Sequence, residues 1–455
     1  MTRPGTQTPV EYELVKALRE RVADAMTRAK QDRERRGLTE LSEPDERQLA
    51  FSLISAAVQA HHAEIVTAGG ELPADTDYDL RLIMAVDAAI YAAGELQELL
   101  DDEQVENIDI NGCDEVWITY ADRGKVRGAP IAATDDDLVQ IVQNLAAYAS
   151  INARPFTRAN PELDLRLPDG SRLSAVLGAG ERPAVSIRRN RYPQMFLSML
   201  VQLGTIDERL AMFLRAAVRA RLNIVVAGAT DAGKTTLLRA LINCIHALER
   251  LITVERSLEL GLRRQGLHED VLEWEEVLPD AEGNGGLSIQ QLVRRTRRHN
   301  PSRVSLGEVM GPEVVEMLSA MSQGNNGSLS TIHARSAADA FAKLAQYAEQ
   351  YEHIENRVAH ALIAGAVDLV VFIGKNRALG GRRTVTEVLE VSGAPDGRVA
   401  YARIFAPSPI DGRAVRVEDV PISELRRLDL ADAGYDDNAA AYDYRDDTDP
   451  RGPVS

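Results

Sequence analysis

An apolar, strand-like run, Leu222-Asn223-Ile224-Val225-Val226-Ala227, passes directly into Gly228-Ala229-Thr230-Asp231-Ala232-Gly233-Lys234-Thr235, and a helical pattern follows from Thr236 to His246. The pattern G-x-x-x-x-G-K-T set between a strand and a helix is that of a phosphate-binding loop. Its glycines let backbone N–H groups turn inward around phosphates, adding to the donors of the helix N-terminus. Lys234 places a cation at the β- and γ-phosphates of a nucleotide, and the Thr235 hydroxyl suits Mg²⁺. Gly228 through Thr236 are therefore expected to bind ATP, and they commit this part of the chain to an α/β architecture.

Length and charge narrow the rest. A chain of 455 residues exceeds what one core usually serves, so two or three domains are expected. The formal charge of −17 argues against a general nucleic-acid coater, although one local basic groove stays open. The two cysteines, Cys113 and Cys244, supply neither a disulfide framework nor a four-cysteine zinc site, and two free thiols are expected. No signal peptide is read at the N-terminus, and apolar runs such as Leu222 to Ala229 fall short of a membrane span. The expectation is a cytosolic protein whose membrane association is peripheral.

Patterning divides the chain into four stretches. Residues 1–100 read as a helical bundle or arm: Tyr12, Leu14, Val15, Leu18, Val22 and Met26 recur at helical spacing. A second helix starts near Ser42-Glu43-Pro44, and a third spans Leu80 to Leu100. Residues 101–190 read as a small α+β domain. Strands at 108–111, 115–120, 163–167, 172–177 and 184–188 accompany an amphipathic helix from Asp135 to Ser150. Residues 191–430 alternate strand and helix, with strands at 222–227, 251–254, 303–307, 328–332 and 369–373, which predicts a doubly wound, largely parallel sheet. A hairpin over 382–391 and 398–405 closes that domain. Residues 431–455, with seven Asp against two Arg, read as a disordered acidic tail.

Phosphate binding becomes hydrolysis only where a carboxylate can orient water and charge can stabilise the transferring phosphoryl group. Glu255 follows the strand Leu251-Ile252-Thr253-Val254, Glu308 follows Val304-Ser305-Leu306-Gly307, and His333 follows Ser328-Leu329-Ser330-Thr331-Ile332. Ligands of open α/β sheets bind at the carboxyl ends of strands, so these three residues are expected to converge on the loop.

These residues resemble the secretion (traffic) ATPases of type II and type IV systems, closest to the tight-adherence (Tad/Cpa) pilus assembly ATPases, over roughly residues 105 to 375. Lys234 and Thr235 match the Walker A box, and Thr253 to Leu260 match an acidic box in which Glu255 takes the catalytic position. Ser305-Leu306-Gly307-Glu308-Val309 is similar to the atypical Walker B box, and Gly327 to Ala334 to the His box. Asp164 to Arg172 and Ser186-Ile187-Arg188 resemble motifs of the N-terminal domain. The resemblance implies a RecA-like domain preceded by a small PAS-like α+β domain, a homohexameric ring, and Mg²⁺ held by Thr235 and Glu308. It also implies a site completed by arginines; Arg172, Arg188 and Arg298 are candidates, with surface ion pairing the alternative. The implied partner is an inner-membrane platform protein, without stable nucleic-acid binding.

Two positions depart from the pattern: Arg256 stands where a second acid is usual, and Met310 where an arginine is usual. They motivate a second reading, a nucleotide-binding scaffold with little turnover. A third, a DNA-transfer ATPase, is motivated by Arg294-Arg295-Thr296-Arg297-Arg298, a run whose alternative is a solvated face.

Overall fold

The computed structural model describes residues 12–36, 43–67, 69, 73, 78–91, 96–149, 156–167, 169–192, 194–277, 279, 284–322 and 324–437. They fall into two compact units, Met1–Arg191 and Tyr192–Ser455.

In the first unit, α1 (Tyr12–Arg35), α2 (Glu43–Thr67) and α3 (Tyr78–Tyr91) pack around Val15, Leu18, Val22, Ile54, Val58, Leu82 and Val86. The spacing of three and four residues places each set on one face of its helix. The helix expected to run from Leu80 to Leu100 is two helices, α3 and α4 (Leu96–Asp101), and the residues between them lie outside the described ones. One helix bears on the membrane expectation. Arg47–Thr67 of α2, with a mean hydropathy of 1.2, is long and apolar enough to cross a membrane by length and composition. Counting uninterrupted large apolar residues misses it, because alanines carry much of its apolar character. In the structure Ala50, Ile54 and Val58 of this helix are buried.

The remainder of the first unit is β1 (Val105–Asn111), β2 (Val116–Tyr120), β3 (Gly124–Arg127), α5 (Asp135–Ala149), β4 (Glu162–Arg166), β5 (Arg172–Val176) and β6 (Ala184–Arg188). The strands form one antiparallel sheet in the order β3-β2-β1-β6-β5-β4. Alternate residues, among them Ile108, Ile110, Leu173, Val185 and Ile187, share a core with Leu138, Val142 and Leu145 of α5. This period-two alternation is what one covered sheet face requires.

The second unit contains α6 (Leu197–Gln202), α7 (Glu208–Arg219), β7 (Ile224–Gly228), α8 (Lys234–Ile242), β8 (Leu251–Glu255), α9 (Leu262–Gln265), β9 (Val271–Glu275), α10 (Ile289–Thr296) and β10 (Arg303–Val309). It continues through α11 (Glu313–Ser322), β11 (Leu329–His333), α12 (Ala337–Glu352), α13 (Asn356–Ala366), β12 (Leu369–Asn376), β13 (Arg382–Gly393), β14 (Ala400–Pro407), β15 (Ala414–Arg416) and α14 (Glu424–Asp432). Nine strands form one sheet in the order β15-β14-β13-β12-β7-β11-β10-β8-β9. From β12 to β9 the pairings are parallel, and β13, β14 and β15 extend the sheet antiparallel.

Strand β7 explains its own sequence. Ile224 and Val226 enter a core shared with Phe213 of α7 and Leu237 of α8, while Val225 and Ala227 enter another with α10, α11 and α12. A strand buried on both faces needs no polar alternation, hence the continuous apolar run. Residues 431–437, assigned to the acidic tail by composition, are anchored instead at Tyr435 and Asp437. Tyr435 is buried edge-on against Phe213, and Asp437 is paired with Arg416 and Arg209. A buried aromatic and two arginine partners outweigh the local acidity; residues 438–455 lie outside the described ones.

Candidate nucleotide site

Gly228 ends β7 where β12 runs alongside, and a Cβ there would come within 2.3 Å of the Ile373 carbonyl oxygen. Only glycine fits. The chain then turns through Asp231 (φ +58°) and Gly233 (φ +94°), the latter capping α8. Ala229, Thr230 and Ala232 complete the turn, and Thr235 and Thr236 lie in the first turn of α8. The N–H groups of that turn have no intrahelical acceptor, which suits them to phosphate oxygens.

Lys234 is 7% exposed. Its ammonium donates to the Ala229 carbonyl (3.2 Å), lies 3.1 Å from His333 Nδ1 and 3.4 Å from Glu308 Oε1. His333 Nε2 is 3.1 Å from the same Glu308 oxygen. Because an ammonium only donates, this geometry makes Nδ1 the acceptor and leaves Nε2–H to donate to Glu308. Of the three residues expected to converge on the loop, two meet its Lys234: His333, which ends β11, and Glu308 on β10, the next two strands across the sheet from β7.

Glu255 ends β8, one strand further on, and is 3% exposed. Its Oε2 accepts from the N–H groups of Glu259 (2.8 Å) and Leu260 (3.0 Å), while Oε1 is buried without a hydrogen-bond partner. Burial pushes its carboxyl up to about 8 against the opposite pull of the two N–H bonds, with smaller upward contributions from Glu259 and Glu273. Glu255 is tied to the Glu308 strand through Gly307, which leaves room for it. The segment that holds it is held in turn by Arg239 of α8, which donates to the carbonyls of Leu260 (3.1 Å) and Glu259 (2.7 Å).

Other expected residues lie on other elements. Arg172 and Arg188 face each other across β5 and β6 in the first unit. Arg298 follows α10, where Arg294 and Arg297 pair with Glu316 of α11. Arg256 is exposed, and the backbone N–H of the half-exposed Met310 donates to buried Glu313 (2.6 Å). Residues that sequence reasoning missed are Arg239, Glu313, and Lys375 and Arg383, which both reach Asp231 in the loop. None belongs to a contiguous motif, so no spacing signal was present to find them.

The Thr235 hydroxyl and the Glu308 carboxylate are hard oxygen donors of the kind a divalent cation takes; Thr235 follows Lys234 in α8, and the Lys234 ammonium lies 3.4 Å from Glu308. Among the described residues no cluster of three or more His, Cys, Asp or Glu side chains forms a separate metal site, and both cysteines are free thiols.

A model of the family described as "Type II/IV secretion system protein" matches residues 92–371, more than half of the chain. A Mycobacterium tuberculosis protein named for conjugal transfer is 31% identical over 322 residues, which cover 69% of this chain and 88% of that protein. Protein VirB11 of Agrobacterium fabrum is 29% identical over 305 residues, covering 60% of this chain and 86% of that one. Among solved structures, the VirB11 ATPase from the Brucella suis type IV secretion system is 25% identical, with 70% of this chain and 98% of that one covered and a TM-score of 0.36.

Proposed function

The chain belongs to the Type II/IV secretion system protein family, a family of ATPases, and on that premise we propose that it is a ring-forming motor whose ATP hydrolysis drives pilus assembly or protein secretion. The observation that carries the reading is the cluster of Lys234, Glu308 and His333 around the loop. In this reading the loop N–H groups and Lys234 bind the β- and γ-phosphates, and entry of a phosphate draws the Lys234 ammonium away from Glu308 and His333. His333 then reports the γ-phosphate to β11, and Glu308 and Thr235 are the residues that would hold a divalent cation. Mg²⁺ would neutralise phosphate charge there.

Glu255 is the proposed residue that orients and deprotonates the attacking water. With its carboxyl near 8 it keeps its proton at neutral pH, so activation requires the nucleotide-bound state to charge it. The implied assembly is a homohexamer in the cytoplasm, attached peripherally to an inner-membrane platform protein. The deciding experiment is phosphate release by wild type, Lys234→Ala and Glu255→Gln. Turnover in the wild type alone supports the enzyme, and equal rates in all three sink it.

A second reading, a DNA-transfer ATPase, is favoured by the conjugal-transfer name of the Mycobacterium tuberculosis relative and by exposed Arg295 and Arg298 beside α10. It predicts ATPase activity that rises with DNA and falls steeply with salt. Indifference to DNA removes it.

A further inference from the structure

The phosphate loop contains a carboxylate. Asp231 stands at a left-handed position (φ +58°) that glycine occupies at little cost, within a loop whose proposed ligand is anionic. Two cations hold it. Lys375 Nζ lies 2.7 Å from Oδ2 and an Arg383 terminal nitrogen 2.8 Å from Oδ1, while Arg383 Nε donates to the Asp231 carbonyl (3.1 Å).

Strand register explains why both cations arrive there. Ile373 of β12 pairs with Gly228, the first residue of the loop. Two residues further along β12, Lys375 pairs directly with Arg383 of β13. Like charges opposite each other in an antiparallel ladder repel unless an anion lies between them. Asp231 is that anion. Burial alone would raise its carboxyl, but Lys375 and Arg383 outweigh it and hold the group below the usual carboxylate range. The Arg383 stem also passes beside Gly233, where a Cβ would lie 3.3 Å from its Cδ.

We propose that Lys375 and Arg383 are positioning residues of the phosphate loop: they neutralise Asp231 and fix its left-handed turn, so that the loop presents its N–H groups to phosphate without a repelling carboxylate. The proposal rests on the reading that this loop binds ATP. One carboxylate between two cations leaves the cluster net positive. Losing either cation removes that surplus and frees the turn, and losing Asp231 as well removes the need for both.

The test is binding of a fluorescent ATP analogue, with steady-state hydrolysis alongside, by wild type, Lys375→Met, Arg383→Met, their double variant, Asp231→Gly, and the triple variant. Each single cation loss is expected to weaken binding on the order of fivefold, and the double more. Asp231→Gly is expected to bind at least as tightly as wild type, and the triple variant to return within about twofold of it. A triple variant as weak as the double overturns the proposal, because the two cations then act on the nucleotide directly. Unchanged binding in Lys375→Met and Arg383→Met overturns it as well. Lys375→Arg, which keeps the charge, is expected to bind as wild type, and circular dichroism checks that each variant is folded. Lys234→Ala separates the two levels: if it binds like wild type, the ATP reading of the loop fails, whereas its loss of binding with silent clamp variants rejects the clamp alone.

Discussion

The Glu255 side chain lies over the α-carbon of Gly307, so that a Cβ built on Gly307 would stand 2.9 Å from Glu255 Cγ. Gly307 immediately precedes Glu308, whose carboxylate meets Lys234 and His333. One missing side chain thus lets Glu255 of β8 close against β10, the adjacent parallel strand, at the residue just before Glu308.

Replacing Gly307 with alanine is expected to push Glu255 aside without touching the loop. Hydrolysis should fall by about 100-fold, as misplacement of a reacting group by roughly 1 Å can do. Affinity for the nucleotide should change by less than about twofold. Single-turnover kinetics together with equilibrium binding read the two effects separately, and equal losses in both would reject the role given to Gly307.

Glu255 also predicts a pH-dependent stability. Its carboxyl is raised from 4.5 to about 8 in the folded chain, so between those values the folded state keeps a proton that the unfolded state gives up. The unfolded state then binds fewer protons, and stability falls as pH rises through this window, by at most about 1.4 kcal/mol per pH unit. Glu255→Gln keeps the shape without the titration. Its melting temperature should exceed that of wild type increasingly from pH 5 to pH 8; parallel profiles would contradict the burial argument.

Arg303 is the largest fully buried side chain among the described residues, and it donates to both oxygens of Glu249 (2.9 and 2.8 Å) and to the Val218 carbonyl (2.6 Å). Arg303→Met removes the cation and leaves Glu249 with Arg221 at 2.8 Å as its remaining arginine. Breaking a buried pair from one side costs about 3 kcal/mol. Urea unfolding should show a lowered midpoint with an unchanged slope. The double variant Arg303→Met/Glu249→Leu should recover part of the loss.

The C-terminal lock is the fourth test. Tyr435 packs on Phe213, and its hydroxyl donates to Asp437 (2.8 Å), which Arg416 grips through two nitrogens. Tyr435→Ala should destabilise the second unit by about 3 kcal/mol, as deletion of a buried aromatic does. Burial would raise the Asp437 carboxyl, yet Arg416, Tyr435 and Arg209 outweigh it and lower the group to about 2. Its contribution is therefore complete above the ordinary value of 3.8 and lost as pH falls toward 2. Asp437→Asn should flatten the acid-unfolding curve in that range.

What was legible in the sequence follows from how local each constraint is. The loop from Gly228 to Thr235 is contiguous, and its flanking strand and helix carry their own periodicities, so its place could be read directly. Glu308 and His333 were legible at one remove, because strand ends on one edge of a parallel sheet must neighbour one another. Burial of Glu255 was not legible: it depends on Gly307 and on backbone N–H groups of Glu259 and Leu260, which no pattern at 251–260 displays. The clamp at Lys375 and Arg383 was invisible for the same reason, since it lies 144 and 152 residues from Asp231 and depends on strand register. Strand β9 escaped because Val271-Leu272-Glu273-Trp274-Glu275 sits at the edge of the sheet, where acidic residues dilute the apolar pattern.

Strand β7, which carries the phosphate loop, is bonded to β11 on one side and β12 on the other through matching stretches, Ile224 facing both Leu329 and Leu369, and Gly228 facing both His333 and Ile373. Pulling this strand out along its own axis means shearing two ladders at once, since neither can peel away bond by bond. The loop is thereby mounted on a strand anchored along both edges. In a force-extension experiment the outer antiparallel strands should give way first, and β7 should still be seated when they do.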